Sequence, residues 1–352
     1  MRTTNGKKIF GLLDVDAVFT TCDYLKRYIT SFLTEDGFVL IDGNGTYLYT
    51  DARYLESAEK LLKDTEVQVI KTDRFCKPVE LLKKYKKIAI PFAETKYAEY
   101  LTLQETGAEF VDATPAFEQS MSVKNDWELA NIAKACEIAE EGFLALLPEI
   151  KEGMTEQQVA GLLEYKMRSF GAQGLSFETI VAFGAHASVP HHETGEEKLK
   201  FGDEILIDFG CRVNGYCSDI TRTFLFGDDK KHGEFKKAYN AVLTAHELVK
   251  ENLVSGMTGK EGDKIARDYL TSQGYGELFT HSLGHGIGLN VHEKPSVSPK
   301  GEAVLCDNMV FSDEPGVYKA GEYGIRIEDT VVLQNGKIKS FMGKTQKDLL
   351  IL

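Results

Sequence analysis

No segment of this 352-residue chain approaches the ~18–20 uninterrupted apolar residues that cross a bilayer, so a membrane span is not expected. At the N-terminus, MRTTNGKKIFGLLDVDAVF, the short apolar core is cut by Asp14 and Asp16, which argues against a signal peptide. Positive charge is in short supply: 41 Lys and Arg face 54 Asp and Glu, for a formal net charge of −13. Such a surface repels duplex DNA and anionic membranes, and neither is expected as a partner. Cysteine is sparse and unpatterned. None of the six (Cys22, Cys76, Cys136, Cys211, Cys217, Cys306) falls in a C-x-x-C pair, so reduced, mostly buried thiols and a cytoplasmic location are expected. What is present is ordinary for a globular protein: 43% hydrophobic and 27% charged residues exclude disorder, and the length suits two domains.

The first ~115 residues alternate apolar runs with helical patterns. Ala17–Thr20, Phe38–Ile41, Tyr47–Thr50, Val67–Ile70 and Ile88–Ile90 read as strands, and Ala52–Leu62, Val79–Tyr85 and Tyr97–Glu105 as helices. An α/β layer domain over residues 1–121 follows. Pro115 and the polar stretch Glu118–Asn125 read as a connection to a second domain, 122–352. That domain opens with Asn125 and Glu128 in capping-box spacing, followed by helical apolar spacing to about Leu147.

An internal repeat follows. GMTEQQVAGLLEYKMRSFG starts at Gly153 and GMTGKEGDKIARDYLTSQG at Gly256, 103 residues later and equal in length. Thr155 and Thr258 stand as N-caps, and Gly171 and Gly274 at the helix ends. Each unit follows a long helical pattern and precedes a His- and Gly-containing loop and strands. Two similar halves about a pseudo-twofold axis, with a site between them, are expected.

The chemistry collects in a few segments. In ILIDFGCRVNGYCSDITRTF, Asn214-Gly215 is the preferred type I′ turn pair. A two-residue turn there sets Asp208 opposite Thr221 and Asp219 opposite Gly210, all on one face. The two carboxylates become diagonal neighbours within reach of one small ion. Placing them together on an apolar strand is costly unless a cation or proton sits between them. THSLGHGIGLNVHE holds three of the eight histidines, His281, His285 and His292, with glycines beside His285 for close approach of backbone and ligand. Glu314 in VFSDEPGVY and Glu328 in GIRIEDTVV lie in or beside apolar strand patterns, and alternation puts Arg326 on the face of Glu328. SDIT around Asp219 corresponds in the repeat to IEDT around Glu328, and the strand of Asp208 to FSDEPG. Asp208, Asp219, His285, Glu314 and Glu328 then total four negative charges, which balances two divalent ions. Oxygen-rich ligation with one nitrogen suits Mn²⁺, Co²⁺, Zn²⁺ or Fe²⁺ and does not by itself choose among them; Mn²⁺ or Co²⁺ is the expectation, with Zn²⁺ or Fe²⁺ as alternatives. Two such ions imply a hydrolase.

Together, IDFGCRVNGYCSDITRTF, HSLGHGIGLNVHE, EPGVY and GIRIEDT resemble the metal-dependent Xaa-Pro peptidases of the pita-bread fold, the prolidases and Xaa-Pro aminopeptidases. Residues 1–121, with TDARY at Thr50–Tyr54, resemble a creatinase-type N-terminal domain. The resemblance implies that Asp208, Asp219, His285, Glu314 and Glu328 are metal ligands and that Glu314 takes the proton of the attacking water. It implies that His191, in SVPHHE, is a substrate-side histidine, and that His281 and His292 steady the scissile carbonyl and the tetrahedral intermediate. It places Arg326 near the proline end of the substrate, unless it only pairs with a ligand carboxylate. A homodimer is a further expectation of the resemblance. The chain departs from the family pattern at His186, where Asn is usual, at His192, where Gly is common, and at Ser312-Asp313, where Thr-Ile or Thr-Val precedes the glutamate. Creatinase is disfavoured because all five metal positions are filled, and methionine aminopeptidase because it lacks the N-terminal domain.

The expected reaction is hydrolysis of the peptide bond preceding proline, favoured as an Xaa-Pro dipeptidase acting on proline-containing dipeptides. The alternatives are an Xaa-Pro aminopeptidase acting on longer peptides and, from another class, a catalytically silent peptide-binding module with the same fold.

Overall fold

The computed structural model describes residues 3–73, 78–227 and 232–352; Cys76 lies outside them. The chain divides into two compact units, Met1–Met121 and Ser122–Leu352, each of mixed α/β structure.

In the first unit, Ala17–Thr20 forms the middle of a six-stranded sheet. It runs antiparallel to Phe38–Asp42 on one side and parallel to Lys87–Ile90 on the other. All four of its residues are buried, as a central strand with no polar side chain except a terminal threonine requires. Gly45–Thr50 and Val67–Lys71 extend the sheet at one edge, and Glu109–Asp112 closes the other. The expected helices are present but shorter, as Leu55–Leu62, Val79–Leu82 and Tyr97–Gln104. Further elements were not expected, among them the helices Gly6–Phe10 and Asp23–Thr30 and the edge strand Glu109–Asp112. The expected connection over Glu118–Asn125 is overturned for its first part, because Thr114–Ser122 is a helix. Pro115 opens that helix where a missing N–H costs nothing, and Asp112 accepts the Thr114 amide at 2.8 Å. Proline here starts a helix rather than breaking one.

In the second unit we label the helices α1 (Asp126–Leu146), α2 (Glu156–Ser169), α3 (Gly233–Asn252) and α4 (Gly259–Ser272). Its main strands are β1 (Asp203–Phe209), β2 (Ile220–Phe226), β3 (Val310–Asp313) and β4 (Asp329–Gln334). Asn125, Thr155 and Thr258 each close a capping box, with Glu128, Gln158 and Glu261. The repeat units become α2 and α4, both 14 residues long, and Gly171 and Gly274 take φ of +109° and +85° just past them. Among the described residues, no helix is long and apolar enough to cross a membrane.

The hairpin register follows the turn. Asn214 and Gly215 have φ of +47° and +83°, both positive as a type I′ turn requires. Arg212 pairs with Cys217, and the same register carries through to Asp208 opposite Thr221. In the other half, Asp313 pairs with Asp329 and Gly316 with Arg326, again one register throughout. By this count Glu314 stands opposite Glu328, whereas Asp208 and Asp219 are diagonal. Thr221 and Thr330, 109 residues apart, lock the halves together reciprocally. The Glu328 amide donates to the Thr221 carbonyl at 3.1 Å, and the Asp219 amide donates to Thr330 Oγ1 at 3.0 Å.

Candidate metal centre and active site

Both hairpins point their acids into one cavity of about 470 Å³, bounded by residues of the second unit alone. Asp208, Asp219, His285, Glu314, Glu328, His191, His281, His292 and Arg326 all line it. Asp208 comes from the end of β1 and Asp219 from just before β2. Glu314 follows β3 and Glu328 precedes β4, so strand ends deliver all four carboxylates. His285 lies on the short strand Gly284–Gly286, beside β3. The glycines flanking it serve the backbone rather than a ligand: a Cβ at Gly284 would lie 1.9 Å from the Ser312 carbonyl, and one at Gly286 2.2 Å from that of Lys294.

The carboxylates crowd one another. Burial first, then the charges of Glu328, Asp208 and Glu314, pushes the Asp219 carboxyl well above its usual range. Burial, with Glu314 and Asp208, does the same to Glu328. Burial raises Glu314 to about 7, even though Arg326 and the Ser312 hydroxyl, 2.9 Å away, pull the other way. Carboxylates crowded in this way favour a cation or a proton among them.

A divalent cation fits these residues. Asp208 Oδ1 is buried with no hydrogen-bond partner. His285 Nδ1 donates to the Gly286 carbonyl at 3.2 Å, which turns the Nε2 lone pair into the cavity. Nε2 lies 3.6 Å from Asp219 Oδ2 and 3.3 Å from Glu314 Oε1, too far for strong hydrogen bonds. Ligand atoms of Asp219, His285 and Glu328 lie within 4.8 Å of one another, a gap that one ion with bonds of ~2.0–2.2 Å closes with small shifts.

Arg326 is buried, and its guanidinium is already engaged. Nη2 donates to Asp208 Oδ2 at 2.7 Å, Nη1 to the Tyr318 hydroxyl at 2.7 Å and Nε to Thr221 Oγ1 at 3.0 Å. Thr221 in turn donates to Glu328 Oε2 at 2.7 Å. Tyr318 donates to His281 Nε2 at 3.0 Å, because His281 Nδ1 donates to the Ser282 carbonyl at 2.8 Å. Burial, with Arg326 nearby, lowers His281 to about 4, so it is neutral at pH 7. His191 and His292 stand at the exposed mouth. Burial and the neighbouring His285 lower His292 to about 4 as well. Nothing in the sequence signals the contacts of Tyr318 and Ser312, which arise only in the fold. Thr221 and Thr330 did carry a signal, as the shared final residue of SDIT and IEDT.

Of the departures, Ser312 acts on the site through its hydroxyl on Glu314, whereas His186, His192 and Asp313 do not line the cavity. Asp313 points to the opposite side of β3, where its Oδ2 meets His246 Nδ1 at 3.1 Å. His186 and His192 both turn to Glu156.

With this geometry in place, comparison with known proteins decides the family. The profile of metallopeptidase family M24 matches residues 130–335. This chain belongs to that family. The creatinase/prolidase N-terminal domain matches residues 2–120. An Xaa-Pro dipeptidase of Pyrococcus furiosus is 35% identical over 316 residues, 89% of each chain. Among solved structures, an Xaa-Pro dipeptidase from Bacillus anthracis superposes with a TM-score of 0.92 at 33% identity, covering 99% of this chain and 98% of its own. An X-Pro aminopeptidase from Thermotoga maritima gives 0.91 at 34% identity, covering 98% and 100%. The pita-bread architecture with an N-terminal domain is therefore the fold of this M24 peptidase, and family membership implies divalent metal.

Proposed function

We propose that this M24 peptidase is an Xaa-Pro dipeptidase that hydrolyses the bond preceding proline at a dinuclear centre. The observation that carries the reading is the convergence of four carboxylates and His285 on one cavity whose mouth is rimmed by His191 and His292. The names of the Pyrococcus and Bacillus relatives support the substrate. Asp208, Asp219, His285, Glu314 and Glu328 would hold two ions, Mn²⁺ or Co²⁺ in preference to Zn²⁺ or Fe²⁺. When bound, they would supply Lewis-acid polarisation of the carbonyl and an activated water.

The chain's own residues do the rest. Glu314 accepts the proton of the attacking water and delivers it to the proline nitrogen. His292 and His191 face the scissile carbonyl as it gains negative charge. The part expected of His281 in steadying that charge is given up in this reading, because its Nδ1 donates to the Ser282 carbonyl and its Nε2 accepts from the Tyr318 hydroxyl; it braces the wall of the site instead. Arg326 orients Asp208 through one nitrogen while lining the pocket that takes the proline end. The X–Pro amide is tertiary, so the site needs no acceptor for an N–H on the leaving side.

The Thermotoga relative's name supports a second reading, an aminopeptidase acting on longer peptides. Turnover of Ala-Pro against Ala-Pro-Xaa tripeptides, with Mn²⁺, Co²⁺ and Zn²⁺ varied, tests both. Faster cleavage of Ala-Pro is expected, and preference for the tripeptide would establish the aminopeptidase instead. Protein that binds no divalent metal and releases no proline under any condition would be the silent binding module.

A further inference from the structure

Outside the cavity, one buried carboxylate gathers two imidazoles. Glu156 is the first residue of α2, and its side chain is fully buried. Its Oε1 accepts from the Phe183 amide at 3.0 Å and faces His186 Nδ1 at 2.9 Å. Its Oε2 accepts from the Gly195 amide at 2.9 Å and faces His192 Nε2 at 2.8 Å. The two rings lie 4.6 Å apart, and one ligand atom from each of the three residues falls within 4.8 Å of the others. None of the three lines the cavity of the dinuclear centre.

We propose that Glu156, His186 and His192 form a separate binding site for one divalent transition-metal ion of the Zn²⁺ or Co²⁺ class. Two imidazole nitrogens and one carboxylate oxygen are the donor set that borderline ions take, and three protein ligands leave the fourth position to water. The carboxylate is held in the way a metal ligand is usually held from behind, by one backbone amide on each oxygen. His192 is 14% exposed and His186 44%, so the site has an inner wall and an open side through which an ion enters. Each imidazole presents to the ion the nitrogen that otherwise faces Glu156 and keeps its proton on the other nitrogen. The surrounding sequence, HHETGEEK, adds Glu193, Glu196 and Glu197, which favour cation entry.

The position gives the ion a consequence. Phe183 and Gly195 are the two ends of the loop that carries His191 to the cavity mouth. An ion on Glu156, His186 and His192 would cross-link both ends of that loop to the start of α2. Neither His186 nor His192 touches the catalytic cavity, so occupancy here and at the dinuclear centre are separable.

The test is a metal count on the full-length protein, loaded by dialysis against excess Zn²⁺, freed of unbound ion by gel filtration and analysed by mass spectrometry. Wild type is compared with His186→Asn and His192→Asn, each checked for an unchanged circular dichroism spectrum. Wild type is expected to carry one more ion per chain than either variant. Co²⁺-loaded wild type should show a four-coordinate visible band component that both variants lack. Because His186 is partly solvent-exposed, its replacement leaves the fold intact and the comparison readable. Equal metal content in wild type and variants would overturn the proposal. Only the difference of one ion is read, so failure of the dinuclear reading would change the total without touching this result.

Discussion

Behind Asp208 and Asp219, the first half of the second unit sets Phe143 of α1 flat against Phe209 of β1, with ring centroids 5.4 Å apart and planes within 12°. Behind Glu314 and Glu328, the second half sets His246 of α3 against Asp313 of β3 and Asp329 of β4, at 3.1 and 3.6 Å. These are corresponding places. Phe143 and His246 are 103 residues apart, the spacing of the repeat, and the paired residues Phe209 and Ile220 occupy the register positions of Asp313 and Asp329. One half backs its two carboxylates with an aromatic stack, the other with buried charge. Arg222 at 2.9 Å and Lys347 at 2.8 Å complete the charged cluster on Asp329. Burial alone would raise Asp329, but Arg222, His246 and Lys347 outweigh it and hold it well below its usual range. The same burial would discharge His246, yet Asp313 and Asp329 raise it to about 9. The comparison teaches that an apolar backing stabilises a strand end at every pH, whereas the charged backing stabilises it only while His246 keeps its proton.

The strongest test of the equivalence lies at the ligands. Asp219→Ala and Glu328→Ala occupy corresponding register positions, and each should lower turnover of Ala-Pro by roughly 10³-fold or more and reduce bound metal. Steady-state assays with metal analysis check this, and a variant that keeps a tenth of wild-type turnover breaks the correspondence. Next comes the backing itself. His246→Phe leaves Asp313 buried without its partner and should cost about 3–5 kcal/mol in urea denaturation. Adding Asp313→Val, which imports the apolar solution of the other half, should recover most of that loss. A double variant as unstable as the single one would show that the two backings are not interchangeable.

Phe143→Ala should cost about 3 kcal/mol through the cavity it leaves, and by the same amount at pH 6 and pH 9.5. Wild type, by contrast, should lose stability at the alkaline end. His246 has a folded pKa raised from 6.5 to about 9, so its contribution is complete below 6.5 and is lost as pH rises through 9. Denaturation midpoints across that range check the contrast, and His246→Phe should abolish the alkaline loss. The smallest effect concerns the metal. Glu314 of the metal-free protein is raised to about 7, so its favourable contribution is present below its unfolded value and fades as pH climbs through 7. Chelation should therefore lower Tm by a few degrees more at pH 8 than at pH 5.5.

Much of this was legible in the chain. The Asn214-Gly215 pair announced its turn, strand periodicity carried the register eleven residues apart to Asp208 and Asp219, and two GMT starts exposed the repeat. Local rules act over short distances, and these features are local. The helix over Thr114–Ser122 was hidden because a proline followed by polar residues reads as a linker unless the cap from Asp112 is known. Arg326, Tyr318 and His281 are linked only by tertiary packing, and nothing in their spacing says so. Asp313 stands out in the sequence only as a departure from the family pattern; that it is half of a buried pair is hidden, because its partner His246 sits on a helix 67 residues earlier.

The reciprocal lock at Thr221 and Thr330 has a bearing on exchange with solvent. The amides of Glu328 and Asp219 are bonded not within their own half but across to the other. Neither proton is released by fraying one hairpin; both halves must part together. These two amides should thus belong to the last-opening cooperative unit of the peptidase domain. Their deuterium uptake would then serve as a residue-level clock for the assembled centre, slowing further when ions bind.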